Sequence, residues 1–308
     1  MQPASETKHI KLLEYTLGGR NFTLRQRDEH GQSNGTTLWL GGQVLCYYLA
    51  SILEKETDTS NKNDGTAKRR RVIELGSGVG LTALALYSMG WDVCATDIEP
   101  VISTVLRPNV LANVDMTNIG SANEATIECK ELDWSVPPER WAWRDPLRVT
   151  QRSPQDSSQP TDLEREMNSM DGTRRQLGPP FDLIVTADTL YTPSLVEPLL
   201  RSLHHLALAS MPSNERSDKT GPSGKLKTQL SCPIFVAVER RDPQLMDSTF
   251  EACSRVWGFK IERIRSIKIR KSLEKAGLSW ERDAEGASAW DGVEIWKMRL
   301  PGSALGLS

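Results

Sequence analysis

The chain has 308 residues, with 38 basic and 40 acidic side chains, so its formal net charge is only −2. Hydrophobic residues make up 38% of it, enough for a sizeable core in one or two domains. A near-neutral chain has no global basic field, which argues against a general nucleic-acid or membrane-surface binder. No window approaches about 18 uninterrupted apolar residues, so no membrane span is predicted. Residues 1–15 lack a basic segment followed by an apolar one, so no signal peptide is expected.

The cysteines are odd in number, far apart and free of any C-x-x-C pair, so no zinc site or disulfide framework is expected. Most lie in apolar or strand-like surroundings, where a reduced cysteine acts as a small core residue. They are Cys46, Cys94, Cys129, Cys232 and Cys253. This usage favours a reducing compartment, and we predict a cytoplasmic protein.

Short apolar runs alternate with helical patterns along the chain. Strands are predicted at 72–75, 93–96, 126–131, 181–186, 233–238, 259–264 and 293–299. Helices are predicted at 81–89, 101–113, 194–210 and 245–257, the second kinked or broken by Pro108. This alternation indicates βαβ units and a mostly parallel sheet. The last two strands have no convincing helix between them, so we expect an antiparallel excursion at the end of the sheet.

Three polar stretches lack periodicity and are interpreted as exposed or disordered low-complexity inserts at about 54–71, 144–180 and 212–231. The second has scattered prolines and few aromatic or β-branched residues after Trp143. We therefore expect it to contribute little to the stability of the fold.

The segment from Val72 to Leu81, VIELGSGVGL, joins a strand to a helix through glycines at 76, 78 and 80. Gly76 can take the tight turn, and Gly78 lets a ligand approach the backbone. The free N–H groups of the following helix can then bind that ligand. The dinucleotide fingerprint G-x-G-x-x-G needs glycine at 81, where this chain has leucine. G-x-G-x-G after the acidic Glu74 instead resembles the S-adenosylmethionine (AdoMet) loop of class I methyltransferases.

Asp97 ends the next predicted strand, one βα unit after the glycine loop. A carboxylate at that position can bond both ribose hydroxyls of a nucleoside. The alternative is a plain helix cap, because Pro100 suggests a helix that begins there.

Further motifs resemble the seven-β-strand protein-lysine methyltransferases, the family that modifies translation elongation factors and the valosin-containing ATPase. They are Trp39 in TLWLGGQVL, Asn113 in VLANV, Trp134 in ELDW, and the run FDLIVTADTLY from Phe181 to Tyr191. The resemblance implies a class I Rossmann-like methyltransferase fold. Seven strands would form a mostly parallel sheet with helices on both faces and an antiparallel late strand. It places a methyltransferase domain at 36–300, between an extension at 1–35 and a tail at 301–308.

The resemblance also implies an AdoMet pocket. Trp39 would flank the cofactor, Trp134 would close over the adenine and Ala187 would line the wall beside the methionine part. The remaining cofactor contacts would come from Glu74, Gly76, Ser77, Gly78 and Asp97. For both tryptophans the alternative is ordinary core packing.

In the resembling family, the aspartate and tyrosine of the D-x-x-Y pattern, here Asp188 and Tyr191, face the target lysine. For Asp188 the alternative is a cap for the turn before Pro193. The implied reaction is methyl transfer from AdoMet to a lysine amine, which needs no metal. A monomer that modifies a soluble protein is expected, with translation elongation factor 1A as the first candidate. There are two alternatives. One is a methyltransferase for a small molecule or a nucleic acid, and the other is a non-enzymatic AdoMet-binding interaction module.

Overall fold

A computed structural model describes residues 1–27, 34–60, 69–114, 125–150, 176–211, 230–278 and 290–302. The strands are β1 (Leu12–Leu17), β2 (Arg20–Arg25), β3 (Arg71–Leu75), β4 (Asp92–Asp97), β5 (Ile127–Glu131), β6 (Leu183–Ala187), β7 (Ile234–Glu239), β8 (Lys260–Arg263) and β9 (Val293–Arg299). The helices are α1 (Ala4–Thr7), α2 (Leu40–Ser60), α3 (Leu81–Ser88), α4 (Arg107–Asn113), α5 (Pro193–Ala209), α6 (Pro243–Arg255) and α7 (Ser266–Lys275). No helix among these residues is long and apolar enough to cross a membrane.

Seven strands form one sheet in the order β5-β4-β3-β6-β7-β9-β8. The neighbours from β5 to β7 are parallel, and β9 runs antiparallel to both β7 and β8. The order reverses between β3 and β6, where the chain leaves one half of the sheet for the other. The predicted Rossmann-like fold class, with an antiparallel late strand, is confirmed.

Both faces of the sheet are covered, because adjacent strand residues point to opposite sides. On one side Val72 packs in a core that includes residues of α2, α3 and α7. On the other side Ile73 packs in a core that includes residues of α5 and α6. Burying each such side chain stabilises the fold by about 1.5–3 kcal/mol. This two-sided burial explains why the central strands are nearly continuous apolar runs.

Two details of the helix predictions were wrong. A helix, α7, does lie between the last two strands. Few of its residues are buried, Ile269 and Leu273 among them, so its sequence carries only a weak apolar pattern. Pro108 does not break its helix either. A π-helical segment, Ile102–Leu106, leads into α4, and Pro108 stands in the first turn of α4. The irregular π-helical segment directly before Pro108 lets the chain stay helical through the proline.

Residues 1–27, within the predicted N-terminal extension, pack against the domain. The β1–β2 hairpin lies beside α4, whose asparagine side chains complete the edge of β2. Asn113 Oδ1 accepts from Thr23 N at 2.8 Å, and Asn109 Oδ1 accepts from Arg25 N at 2.7 Å. The backbone of β2 therefore has partners on the side away from β1.

The two ends of the 144–180 stretch are part of the core, so the expectation that it contributes little is wrong for them. Val149 and Leu177 are buried in the core beneath α5. Lys130 of β5 is fully buried, and its Nζ donates to Trp143 O and Leu177 O, each at 3.3 Å. Residues 151–175 lie outside the described residues, as do 61–68 and 212–229 of the other two inserts. Residues 54–60 of the first insert continue α2.

Candidate active site

A cavity of about 980 Å³, its open mouth included, lies at the carboxyl ends of β3, β4 and β6. Ligands of open α/β sheets bind at this edge, where the strand order reverses. All the predicted site residues line this cavity: Trp39, Glu74, Gly76, Ser77, Gly78, Asp97, Trp134, Ala187, Asp188 and Tyr191. The structure thus brings together residues from 39 to 191, while the role of each stays a prediction.

The glycine loop is close to other parts of the chain as well as to the cavity. Gly76 and Gly78 have φ of 68° and 54°, in the left-handed region that favours glycine. A Cβ on Gly76 would lie 2.6 Å from Thr189 Cγ2, and one on Gly78 would lie 2.9 Å from the carbonyl oxygen of Gly35. Gly78 is therefore needed for close backbone packing, in addition to the predicted approach of a ligand.

Asp97 is hydrogen-bonded to the backbone of the glycine loop. Its Oδ2 accepts from Gly78 N and its Oδ1 accepts from Ile98 N, both at 2.8 Å. Burial raises the pKa of Asp97 to about 6, and these two N–H donors oppose the rise. The bond to Gly78 joins Asp97 to the glycine loop, so the carboxylate is more than a cap for the following helix. A carboxylate has about four acceptor positions, which leaves room for ribose hydroxyls.

Glu74 lies under the same loop. Burial raises its pKa to about 8, against the lowering effect of hydrogen bonds from Ser77 and Thr82. Its Oε2 has no hydrogen-bond partner among the described residues. A buried polar atom without a partner costs about 1–3 kcal/mol, so a ligand that carries a donor or a positive charge is favoured there.

Trp134 lines the cavity beside the glycine loop. Its ring approaches the position of a Cβ on Gly76 within 3.2 Å, and its backbone oxygen accepts from Arg201 Nη2 of α5 at 2.8 Å. Within the described part of the chain, Trp134 Nε1 is shielded from solvent and lacks a partner. The indole thus offers the cavity both an apolar ring and a free donor.

AdoMet fits these features. Asp97 would hold its ribose, Trp39 and Trp134 would flank it, and the unsatisfied Oε2 of Glu74 suits a cofactor that carries positive charge. Sequence reasoning missed several residues that line the same cavity. They are Gly35, Thr37, Leu38, Gly42, Val79, Leu81, Thr82, Ile98, Leu132, Asp133, Ser135, Thr189 and Leu195. Those that stand inside the quoted motifs had a local signal: Thr37, Leu38, Gly42, Val79, Leu81, Leu132, Asp133 and Thr189. The others depend on tertiary packing.

Asp188 has a structural role that the sequence did not indicate. Its φ is 54°, in the left-handed region. Its Oδ1 accepts from Glu239 N at 3.1 Å and its Oδ2 accepts from Gly42 N at 3.3 Å. Gly41 is close enough that a Cβ there would lie 2.5 Å from the carboxylate. Asp188 therefore joins the start of α2 to the end of β7, rather than capping the turn before Pro193.

Asp188 and Tyr191 both line the cavity. Burial raises the pKa of Asp188 to about 6, opposed first by the N–H of Glu239. Tyr191 is 52% exposed, and partial burial together with the charge of Asp97 raises its pKa. Both residues also line a second pocket, together with Trp39, on the outer side of the mouth.

Residues 20–143 match the family model described as lysine methyltransferase. This segment is therefore similar to the lysine methyltransferase family. Protein-lysine N-methyltransferase EFM6 of Saccharomyces cerevisiae is 29% identical over 141 residues, which cover 42% of this chain and 52% of that protein. Protein N-lysine methyltransferase METTL21A of Danio rerio is 30% identical over 132 residues, 43% of this chain and 52% of that protein. Protein-lysine methyltransferase METTL21E of Mus musculus is 26% identical over 172 residues, 56% of this chain and 51% of that protein.

The chain thus spans about half the length of the curated relatives it matches. The match to the lysine methyltransferase family includes the glycine loop, Asp97 and Trp134. It ends before Asp188 and Tyr191, which join the site through the fold.

Asp97→Ala is expected to weaken AdoMet binding by roughly tenfold or more, because a charge-assisted hydrogen bond contributes about 1.5–3 kcal/mol. Calorimetric titration measures the change. The matched control is Asp92→Ala, at the other end of β4, where a buried carboxylate accepts from Thr126 and lies outside the cavity. We expect the control to lower stability and leave AdoMet affinity unchanged. Equal affinities for wild type and a folded Asp97→Ala variant would contradict the ribose assignment.

Proposed function

We propose that this chain is an AdoMet-dependent protein-lysine N-methyltransferase that acts as a monomer on a soluble protein. The observation that carries the proposal is the convergence of three groups on one cavity: the glycine loop, Asp97 and the Asp188–Tyr191 pair. The family match of residues 20–143 supports lysine as the acceptor. The buried, free Cys46, Cys94 and Cys253 support a reducing compartment, and we place the protein in the cytoplasm.

The proposed chemistry is transfer of an activated methyl group, which AdoMet supplies when it is bound. Asp97 and the backbone of Gly76 to Gly78 hold the nucleoside in place. The aromatic walls of Trp39 and Trp134 exclude water from its two sides. These contacts fix the position of the donor, and positioning of donor and acceptor provides most of the acceleration.

The acceptor amine must lose a proton before it reacts, since the unperturbed lysine pKa is about 10.4. Partial desolvation beside the rings of Trp39 and Tyr191 lowers that pKa. The Asp188 carboxylate attracts the incoming ammonium group and orients it. The amine gives its proton to solvent water at the cavity mouth, where Tyr191 is 52% exposed.

The substrate candidate is translation elongation factor 1A. It rests on the resemblance of ADTLY, followed by PSLVEP, to that branch of the family.

Incubation with radiolabelled AdoMet and a cell lysate tests the function. A labelled protein band whose label is recovered as methyl-lysine supports the proposal, and purified elongation factor 1A then tests the substrate. Asp97→Ala serves as the cofactor-site control and should weaken the band at a limiting AdoMet concentration. Label in nucleic acid or in small molecules would instead favour those classes of methyltransferase. AdoMet binding without any transfer would favour a non-enzymatic module.

A further inference from the structure

A second pocket lies against the outer side of the cavity mouth, and we call it the outer pocket. It shares Trp39, Asp188 and Tyr191 with the cavity, so these three side chains form the boundary between the two spaces. Two more carboxylates, Glu239 and Asp242, line the outer pocket. Three acidic groups and two aromatic rings are the chemistry that binds an organic cation.

The chain places one of its own cations on this site. The guanidinium carbon of Arg241 stands 4.3 Å from the centre of the Trp39 ring. Arg241 also forms an ion pair with Glu239, and its charge acts on Asp188. One arginine thus contacts the ring and the carboxylate of Glu239, and its charge also acts on Asp188.

The preceding arginine behaves differently. Arg240 pairs with Glu294 at 3.4 Å and with Asp247, and it lines neither the cavity nor the outer pocket. Its two partners hold it away from Trp39. Arg241 is 52% exposed at its side chain, and its carboxylate partner Glu239 is also accessible, at 27%. An exposed pair of this kind is weak and easily exchanged for another.

We propose that Arg241 is an internal competitor that occupies the site of the target lysine on Trp39 and must swing away before a lysine passes into the cavity. This inference rests on the proposed function. A lysine ammonium and the Arg241 guanidinium need the same ring face and the same acidic partners. While Arg241 occupies the site, only part of the protein is competent to bind, and the apparent affinity falls by that fraction.

The test measures binding of a lysine side-chain analogue, n-butylammonium, to the full chain without AdoMet. Tryptophan is labelled with ¹⁵N, and the indole signal of Trp39 is assigned by its loss in Trp39→Phe. We expect Arg241→Gln to bind n-butylammonium at least about fivefold more tightly than wild type at this signal. Arg241→Lys keeps a competing cation and should stay close to wild type.

Arg240→Gln is the matched control and should leave the affinity unchanged, because Arg240 does not lie over Trp39. The neutral isostere n-butanol should not shift the Trp39 signal saturably. Equal or weaker n-butylammonium binding in Arg241→Gln would overturn the proposal, as would an equal effect of n-butanol. This assay involves no methyl transfer, so it can succeed even if the lysate assay fails. If the lysate assay succeeds and this binding assay fails, the role of Arg241 is rejected and the proposed function stands.

Discussion

Replacement of Lys130 by methionine is expected to lower the free energy of unfolding by about 3–5 kcal/mol. Lys130 is completely buried, and it forms an ion pair of 3.2 Å with Glu128. It also donates to the carbonyl oxygens of Trp143 and Leu177. Methionine has a similar length but no donor, so two carbonyl groups would lose the ammonium donor and the Glu128 carboxylate would keep only the N–H of Leu177. Urea unfolding monitored by circular dichroism measures the midpoint and slope that define the change.

The matched control is an ion pair on the surface. Arg255→Met breaks an exposed pair with Glu251 on α6, and such pairs contribute at most about 1 kcal/mol. A double variant, Lys130→Met with Glu128→Gln, should recover part of the loss because it removes the uncompensated charge. A Lys130→Met variant as stable as Arg255→Met would show that the buried contacts of Lys130 carry no weight.

The position of Lys130 also defines how far the 144–180 stretch can be shortened. One carbonyl partner, Trp143, directly precedes that stretch, the other, Leu177, lies near its end, and Val149 near its start is fully buried. A replacement that starts at residue 148 would remove this core residue. Only 151–175 can be exchanged for a short linker without loss of a described core contact.

The parallel half of the sheet was predictable because burial on both faces forces continuous apolar runs. Strands such as β6 and β7 follow these runs, and the glycine loop and Asp97 follow directly from the ends of β3 and β4. Helix α2 was not predicted, because it is buried against α3, α7 and the sheet. Apolar residues on several sides obscure the 3.6-residue period.

The remaining site features depend on tertiary contacts that no local pattern records. Lys130 alternates with apolar residues in β5 as an outward-facing charge would, and only the packing of residues 143 and 177 makes it buried. Arg240 and Arg241 are adjacent and chemically identical, yet one faces Glu294 and the other faces Trp39. The D-x-x-Y pattern indicated a site at Asp188, while its bonds to Gly42 and Glu239 became visible only in the structure.

Asp188→Asn is expected to slow methyl transfer to a protein lysine at least tenfold, which corresponds to about 1.4 kcal/mol of transition-state stabilisation. The substitution keeps the shape of the side chain and removes the charge that attracts the ammonium group. It also turns one acceptor toward the backbone into a donor, so the N–H of Gly42 or of Glu239 would lose its bond. We expect that loss to reduce stability by about 1–3 kcal/mol while AdoMet still binds.

The pH profile separates the charge of Asp188 from its structural role. Because burial raises its pKa to about 6, the carboxylate becomes charged as the pH rises through about 6. The protonated form of Asp188 contributes stability that is fully present below its unfolded pKa of about 3.9. That contribution is lost as the pH rises from about 3.9 through the folded pKa of about 6. Asp97 has a pKa in the same range, so the transfer is measured at saturating AdoMet. Wild-type single-turnover transfer should then show a rise near pH 6 that Asp188→Asn lacks.

Asp182→Asn is the matched control, since Asp182 lies just before β6, at the end of the strand opposite Asp188, and binds the backbone N–H of Arg71. It changes a carboxylate that hydrogen-bonds to the backbone and lies outside the cavity and the outer pocket. Single-turnover transfer by this control should keep the wild-type rate and the rise near pH 6. If Asp188→Asn shows the same rate and profile as Asp182→Asn, Asp188 only joins α2 to β7, and the target amine is oriented by other groups.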